Sequence, residues 1–209
     1  MAWLFLTQKV VGLKLYCANF DRAVDIGAGT GNTTAVVENE RSLTVNEIKP
    51  VDQHTGMTRL LQERFGGKHS VAQASAEALP LSSGSFDLAY SQGLVFHLDR
   101  TQTEGYFQEL NRILEDGGVY VDAYGSSEVT ASSWKSVVLK DIIVDTVTDR
   151  FNSDGLGASE QEEIARANGF NVVRAGMTTR AFVKGGHLQD RGFPYYNGHG
   201  VQRIFSIEA

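Results

Sequence analysis

The chain has 209 residues, of which 42% are hydrophobic and 21% are charged, and its formal net charge is −6. This composition is typical of a globular protein with one core, and the negative charge disfavours broad binding to nucleic acid or to an anionic membrane. No apolar run is long enough to span a bilayer and the apolar start lacks a basic signal region, so we expect a cytoplasmic location.

Hydrophobic periodicity predicts alternating strands and helices along most of the chain. The predicted order is an amphipathic helix at 1–20, a strand at 22–26, a helix at 31–40, a strand at 42–47 that turns at Pro50, a helix ending at Gly66, strands at 69–74 and 85–91, a helix at 101–115, a strand at 119–124, a helix opening at Ser159, and strands at 170–173 and 201–207. These elements predict an α/β fold with a doubly wound, Rossmann-like, seven-stranded and mostly parallel sheet that ends in an antiparallel closing strand.

A glycine-rich turn is the most informative stretch, and it reads Asp25-Ile26-Gly27-Ala28-Gly29-Thr30-Gly31. Here a short apolar strand meets three alternating glycines before a helix, which lets the backbone approach a ligand and directs helix N–H groups at it. The dinucleotide pattern G-x-G-x-x-G has Asn32 at its third glycine, and the lysine of a P-loop is absent. A glycine turn without a ligand is the alternative.

Glu47 lies 16 residues beyond Gly31, at the predicted end of the second strand. A carboxylate in that place can accept hydrogen bonds from the ribose hydroxyls of an adenosine ligand. The alternative is a solvated loop glutamate. Its position after a glycine turn and an apolar strand favours the ribose interpretation.

Two further stretches have a recognisable order, namely Ala74-Ser75-Ala76-Glu77-Ala78-Leu79-Pro80 with Ser85-Phe86-Asp87, and Glu109-Leu110-Asn111-Arg112-Ile113-Leu114-Glu115-Asp116-Gly117-Gly118. Together with the glycine-rich turn, which has the pattern D-x-G-x-G-x-G, these stretches resemble the motifs of the class I S-adenosylmethionine (SAM)-dependent methyltransferases. Within that superfamily they are similar to the methyltransferase type 11 family. The resemblance covers about residues 21–125. Two positions depart from the family, because Ser75 replaces the usual Asp that contacts the adenine amino group and Ala74 replaces a glycine.

The resemblance implies SAM as the cofactor and S-adenosylhomocysteine as its product, with the following set of binding residues. Around the methionine and ribose, the backbone of Gly27, Ala28, Gly29 and Gly31 would lie against the cofactor, and Asp25 would orient the turn and the amino end of the methionine. Glu47 would hold the ribose, and Ser75 and Ala76 would meet the adenine beside Glu77. Ser91 and Gln92 would face the methionine carboxylate or the substrate.

Methyl transfer to a hydroxyl also needs a proton acceptor, and a histidine has a suitable pKa. Leu94-Val95-Phe96-His97 resembles the loop in which a family histidine often faces the acceptor, so His97 is the predicted base. A structural histidine is the alternative. The other histidines show no metal-ligand spacing, so we predict no metal.

No Asn/Asp-Pro-Pro-Tyr/Phe motif follows the fourth strand, and with the acidic composition this favours a small-molecule acceptor over nucleic acid. O-methylation is the predicted chemistry, with N- and C-methylation open. Two alternatives remain: a SAM-binding fold member that does not transfer methyl, such as a cyclase, and a non-catalytic partner protein. We expect one domain over 1–209, with 126–158 and 179–200 capping the acceptor side, as a monomer or homodimer.

Overall fold

The computed structural model describes residues 18–39, 43–123, 156–174, 179–185, 194–196 and 201–203. The strands are β1 (Ala18–Ile26), β2 (Leu43–Asp52), β3 (Ala72–Gln73), β4 (Phe86–Gln92), β5 (Leu114–Ala123), β6 (Phe170–Arg174), β7 (Thr179–Lys184), β8 (Pro194–Tyr196) and β9 (Val201–Arg203). The helices are α1 (Asn32–Asn39), α2 (Thr55–Phe65), α3 (Arg100–Ile113) and α4 (Ala158–Ala167), and a 3₁₀ turn covers Val95–His97.

Seven strands form one sheet in the order β3-β2-β1-β4-β5-β7-β6. Strands β1 to β5 are parallel, whereas β7 is antiparallel to both β5 and β6. The predicted fold class is therefore confirmed. The chain proceeds outward from β1 to β3 and then returns to place β4 on the other side of β1, so the strand order reverses between β1 and β4. Ligands of such sheets bind at the carboxyl ends of the strands beside this reversal.

Helix α3 covers one face of the sheet because its apolar residues recur at helical spacing. The buried positions are Thr103, Tyr106, Phe107, Leu110 and Ile113. The Phe107 ring meets the rings of Tyr120 and Phe182 at centroid distances of 6.0 and 5.3 Å. A second buried cluster on β1, β2, β4 and β5 includes Val37 of α1 and covers the other face.

Strand β2 is longer than predicted, because the prediction ended the strand before Pro50 and the strand continues through it. Pro50 is buried inside the strand and pairs with Asp25, although its ring was expected to turn the chain there. The carbonyl of Val51 faces β1, since it accepts from Gly27 N, so the neighbouring Pro50 nitrogen faces the β3 side. The β2–β3 ladder includes only Val51 and Asp52 of β2. No ladder bond is therefore lost at Pro50, as is usual for proline at a strand edge.

The termini of other elements also differ from the prediction. Strand β5 begins at Leu114 directly after α3, so Asp116-Gly117-Gly118 lies within the strand instead of before it. Gly117 has φ of 78°, and the β4–β5 register shifts opposite this stretch. A residue with left-handed backbone angles inside a strand forms a bulge. In the sequence the same glycines are typical of a turn, so the strand was predicted to begin only after them.

The antiparallel closing strand is β7, which falls at the start of the segment 179–200 that was predicted to cap the acceptor side. The predicted closing strand at 201–207 instead contributes β9, which pairs with β8 in a separate two-stranded sheet. The prediction of a helix over 1–20 is wrong for Ala18–Phe20, which belong to β1. The remainder of that predicted helix, and nearly all of 126–158, lie outside the described residues.

An ion pair on α3 holds the loop after β3. The Arg112 guanidinium donates to both carboxylate oxygens of Glu109 at 2.6 and 2.7 Å and to the carbonyls of Leu79 and Leu81 at 2.9 and 2.6 Å. Glu109 also accepts from Leu79 N at 2.8 Å. The bonds from Arg112 lower the pKa of Glu109, and Glu109 in turn raises the pKa of Arg112. Glu109 and Arg112, which belong to the third stretch of the family resemblance, thus have a structural role in this chain.

Replacing Arg112 with methionine is expected to lower the free energy of unfolding by about 1–3 kcal/mol, because two carbonyls and a carboxylate lose their donor. The matched control is Arg59→Met, which removes an ion pair to Glu63 whose side chains are 78% and 63% exposed. That change should cost less than about 0.5 kcal/mol. Urea unfolding of both variants measures the difference, and equal losses would contradict the assignment of Arg112 as a clamp.

Candidate cofactor site

The glycine turn after β1 is held in place by its own backbone hydrogen bonds. Gly27 N and Ala28 N both donate to Val51 O, at 2.9 and 3.0 Å, and Gly31 N donates to Ala28 O at 2.8 Å. Gly27, Gly29 and Gly31 have φ of 70°, 57° and 80°, which L side chains rarely adopt. These bonds and backbone angles define the turn at the carboxyl end of β1.

The three glycines differ in what surrounds them. A Cβ at Gly31 would overlap the Phe65 ring and lie 2.9 Å from Leu61, so this glycine is required by packing against α2. A Cβ at Gly27 would lie 3.1 Å from Leu94, in the loop after β4. A Cβ at Gly29 would meet no atom within 4 Å in the described part of the chain. The middle glycine is therefore the one that faces open space.

The acidic residue beside this turn is Asp52, which the sequence analysis missed. Asp52 ends β2, is 6% exposed, and its Oδ2 accepts from Gly29 N at 2.9 Å. Its Oδ1 accepts from His54 N at 2.8 Å, so the same carboxylate also holds the start of α2. Asp52 follows Gly31 by 21 residues, close to the spacing of about 20 that is usual for a ribose-binding acid, and this spacing could have identified it.

The prediction that the second strand ends at Glu47 is wrong. Glu47 lies in the middle of β2, five positions before Asp52, and pairs with Arg22 of β1. Its side chain is exposed, and it is absent from the carboxyl edge where the glycine turn lies. The error follows directly from the interpretation of Pro50 as a strand terminator.

Asp25 anchors the first turn of α1 beneath the glycine turn. Its side chain is 1% exposed, and Thr34 Oγ1 donates to its Oδ2 at 2.6 Å. Burial raises the pKa of Asp25 from 3.8 to about 7, with the nearby charge of Asp52 adding to the rise and the bonds from Thr34 opposing it. Its Oδ1 has no hydrogen-bond partner among the described residues. The role of Asp25 in orienting the turn and the amino end of the cofactor stays a prediction.

Because folding raises the pKa of Asp25, the free protein should become less stable as the pH rises from about 4 to 7. In that window the unfolded chain releases the Asp25 proton while the folded chain keeps it, which favours unfolding by up to about 4 kcal/mol above pH 7. Asp25→Asn should remove this loss and leave the variant more stable than wild type at pH 8 but not at pH 4. Thermal unfolding across this range measures it, and parallel pH profiles would contradict it.

Ser91 and Gln92 end β4 but point to different places. Ser91 is 2% exposed, and its Oγ lies 2.7 Å from the buried Tyr120 hydroxyl. The structure therefore places Ser91 in the core under α3, in contrast to the prediction that it faces the ligand. Gln92 is half-buried, and its Oε1 accepts from Thr33 Oγ1 of α1 at 2.7 Å. Gln92 thus lies beside the first turn of α1, and its role toward the methionine carboxylate or the substrate stays a prediction.

The stretch after β3 lies next to Asp52, because Ala74 N donates to Asp52 O at 3.1 Å. Ser75 is half-buried and accepts from Glu77 N at 3.4 Å, and Ala76 belongs to the core. The Glu77 side chain lies against Gly105, whose Cβ would be 3.4 Å from its Cγ, so it extends toward α3. Ser75 is therefore the polar side chain of this stretch that remains for a ligand beside Asp52.

His97 ends the 3₁₀ turn that follows β4, and its side chain is exposed. Leu94 of the same loop borders Gly27, so the loop that carries His97 adjoins the glycine turn. His97 therefore lies at the correct edge of the sheet for an acceptor-facing residue. Its role as a base stays a prediction.

Arg64 near the end of α2 supports the glycine turn from outside, and sequence reasoning missed it. Its Nη1 donates to Thr30 O at 2.8 Å and to Asn32 Oδ1 at 3.1 Å, and its guanidinium lies 5.0 Å from the centroid of the Phe65 ring. Helix α2 thus contacts the turn at both ends, through Asp52 before its first residue and through Arg64 in its last turn. No sequence signal links residues more than 30 positions apart in this way.

Residues 24–121 match the family model of a methyltransferase domain. This match covers a little under half of the chain and agrees with the resemblance to the class I, SAM-dependent methyltransferases that the motifs carry. The resemblance seen in the sequence is thereby confirmed.

Among named relatives, the chain is 30% identical over 122 residues to the ubiquinone/menaquinone biosynthesis C-methyltransferase UbiE of Xanthomonas oryzae, covering 56% of this chain and 47% of that protein. It is 35% identical over 104 residues to the malonyl-[acyl-carrier protein] O-methyltransferase of Geobacter sulfurreducens, covering 49% and 38%. The matches thus span less than half the length of these relatives. A solved Pyrococcus horikoshii protein is similar in fold, with a TM-score of 0.63, 16% identity, and coverage of 87% of this chain and 89% of that one.

The residues of this site fit SAM, the cofactor of the superfamily. The open space at Gly29 admits a ligand against the backbone, and Asp52 lies beside it as a hydrogen-bond acceptor for ribose hydroxyls. The first turn of α1 offers backbone N–H groups for the amino-acid carboxylate.

No helix of the described residues is long and apolar enough to cross a bilayer.

Proposed function

We propose that this chain is a methyltransferase that uses SAM to methylate a small-molecule acceptor. The observation that carries the proposal is the bond between Gly29 N and Asp52 Oδ2, which joins the open glycine to a buried carboxylate at the carboxyl end of β1, the strand beside which the order reverses. Both oxygens of Asp52 accept from backbone N–H groups at this edge, and each carboxylate oxygen has a further lone pair that can accept from a ribose hydroxyl.

Each part of the cofactor has a partner among these residues. We assign the ribose to Asp52 instead of Glu47, the adenine edge to Ser75, and the methionine end to the turn of Gly27 to Gly31 and to Gln92. SAM supplies a methyl group on a sulfonium, which is already activated for in-line displacement. The protein therefore contributes mainly alignment and exclusion of water. Leu94, packed against Gly27, is the apolar side chain that would exclude water next to the turn.

His97 is the proposed base for an acceptor that must lose a proton, and O-methylation is the proposed chemistry. The relatives leave the methylated atom open, since one is named as a C-methyltransferase of ubiquinone/menaquinone biosynthesis and the other as a malonyl-[acyl-carrier protein] O-methyltransferase. Phenolic hydroxyls, quinol rings and malonyl thioesters are accordingly the acceptor classes to test. Residues 126–158, and 185–200 beyond β7, are proposed to cover the acceptor.

Calorimetric titration of S-adenosylhomocysteine, followed by turnover of SAM with those acceptors, tests the proposal. We expect binding to the wild type and formation of S-adenosylhomocysteine with at least one acceptor class. Binding without turnover on any acceptor would favour a fold member that does not transfer methyl. The absence of binding would contradict the proposal and favour a non-catalytic partner protein.

His97→Asn then tests the base. Turnover should fall about 10²- to 10⁴-fold, which is the usual contribution of a general base. Affinity for S-adenosylhomocysteine should stay within about 2-fold of wild type, because His97 is assigned to the acceptor and not to the cofactor. Unchanged turnover would leave His97 as a structural residue.

A further inference from the structure

Two adjacent threonines in the first turn of α1 attach the helix to two different strands. Thr34 Oγ1 donates to Asp25 of β1 at 2.6 Å, and Thr33 Oγ1 donates to Gln92 of β4 at 2.7 Å. Thr33 and Thr34 are 7% and 0% exposed, so both hydroxyls are committed to these bonds within the fold. The pair therefore spans the position at which the strand order reverses.

The bond from Thr33 determines which end of the Gln92 amide remains available. The amide oxygen accepts from Thr33, and the amide nitrogen has no hydrogen bond to any described residue. An amide nitrogen is a donor only, with two N–H groups. Gln92 therefore presents donors, and not an acceptor, to whatever lies beside the first turn of α1.

The surroundings of this amide suit the carboxylate of an amino acid. Helix α1 begins at Asn32, and its unpaired N–H groups and dipole favour an anion at that end. Donors for a carboxylate thus come from the first turn of α1 and from the amide that Thr33 holds.

We propose that Thr33 is a positioning residue that orients the Gln92 amide so that its nitrogen binds the carboxylate of the cofactor's amino-acid end. This inference rests on the proposed function, because it assigns a role within the same cofactor site. The sequence left two possible partners for Gln92, the methionine carboxylate and the methyl acceptor. The inference assigns Gln92 to the carboxylate.

Two ligands that differ only in that carboxylate test the inference. They are S-adenosylhomocysteine and its decarboxylated analogue, S-adenosyl-3-thiopropylamine, titrated into wild type, Thr33→Val, Thr33→Ser and Gln92→Glu. Thr33→Val removes the hydroxyl at constant shape, and Thr33→Ser retains it. Gln92→Glu keeps an acceptor for Thr33 but replaces the exposed donor with a negative charge.

We expect Gln92→Glu to weaken S-adenosylhomocysteine about 10-fold or more and Thr33→Val about 3- to 10-fold, as for loss of a charge-assisted hydrogen bond. Thr33→Ser should restore wild-type affinity, and no variant should change affinity for the decarboxylated analogue more than about 2-fold. Equal weakening of both ligands, or unchanged binding of S-adenosylhomocysteine, would overturn the inference while the cofactor site stands. A wild type that binds neither ligand would instead refute the proposed function.

Discussion

Asp52→Asn is expected to weaken binding of S-adenosylhomocysteine by about 10- to 100-fold, which corresponds to the loss of charged hydrogen bonds to a ribose. Asp52 is the buried carboxylate beside Gly29, and asparagine keeps its shape while removing the charge. Glu47→Gln is the matched control, because Glu47 is an exposed acid of the same strand. Its affinity should stay within about 2-fold of wild type.

Isothermal titration of the two variants compares them directly, and thermal unfolding of each separates lost binding from lost structure. Asp52 also accepts from Gly29 N and His54 N, so a modest decrease in stability is expected alongside the loss of affinity. If Glu47→Gln abolished binding while Asp52→Asn did not, the ribose would belong to Glu47. The assignment of the site to the carboxyl end of β2 would then be wrong.

Gly31→Ala is expected to lower the free energy of unfolding by about 2–5 kcal/mol. A Cβ at this position would overlap the Phe65 ring, which costs about 1–3 kcal/mol as overpacking. The φ of 80° adds about 1–2 kcal/mol, because an L residue is strained in the left-handed region. Chemical denaturation measures the loss, and a decrease below about 1 kcal/mol would show that Phe65 moves aside.

Gly29→Ala provides the comparison, since its φ of 57° carries the same strain but its Cβ would meet no described atom within 4 Å. The expected loss of stability is only about 1–2 kcal/mol. Its affinity for S-adenosylhomocysteine should nevertheless fall about 10-fold or more, because the added methyl group occupies the space assigned to the ligand. A folded Gly29→Ala variant with normal affinity would place the ligand elsewhere.

The class of the fold could be predicted because hydrophobic periodicity is a local property of the chain. The stripe of Tyr106, Phe107 and Leu110 predicted α3, and three alternating glycines predicted the turn after β1. A left-handed backbone requires glycine wherever it occurs, so this signal needs no tertiary context. Strands β1 to β6 followed from the order of these elements, whereas β7, the antiparallel closing strand, was not predicted as a strand.

Strand ends could not be predicted in the same way, because they depend on neighbouring strands. Pro50 is compatible with a strand only where the adjacent ladder leaves its nitrogen unpaired, and that ladder is set by the length of β3. For the same reason Asp52, and not Glu47, lies beside the glycine turn. Similarly, Gly117 is a bulge inside β5 because β4 continues to pair on both sides of it.

The direction of side chains at the site was also decided by tertiary structure. Ser91 and Gln92 are adjacent in the sequence, but successive residues of a strand point to opposite faces, so Ser91 enters the core at Tyr120 and Gln92 reaches Thr33. The sequence by itself determined the glycine turn, the alternation of strands and helices and the family resemblance, since these are encoded by local conformational and hydrophobic preferences. Only the packed sheet decided which carboxylate, hydroxyl and amide meet at that turn, because hydrogen bonds across β1, β2 and β4 join residues 23 to 59 positions apart.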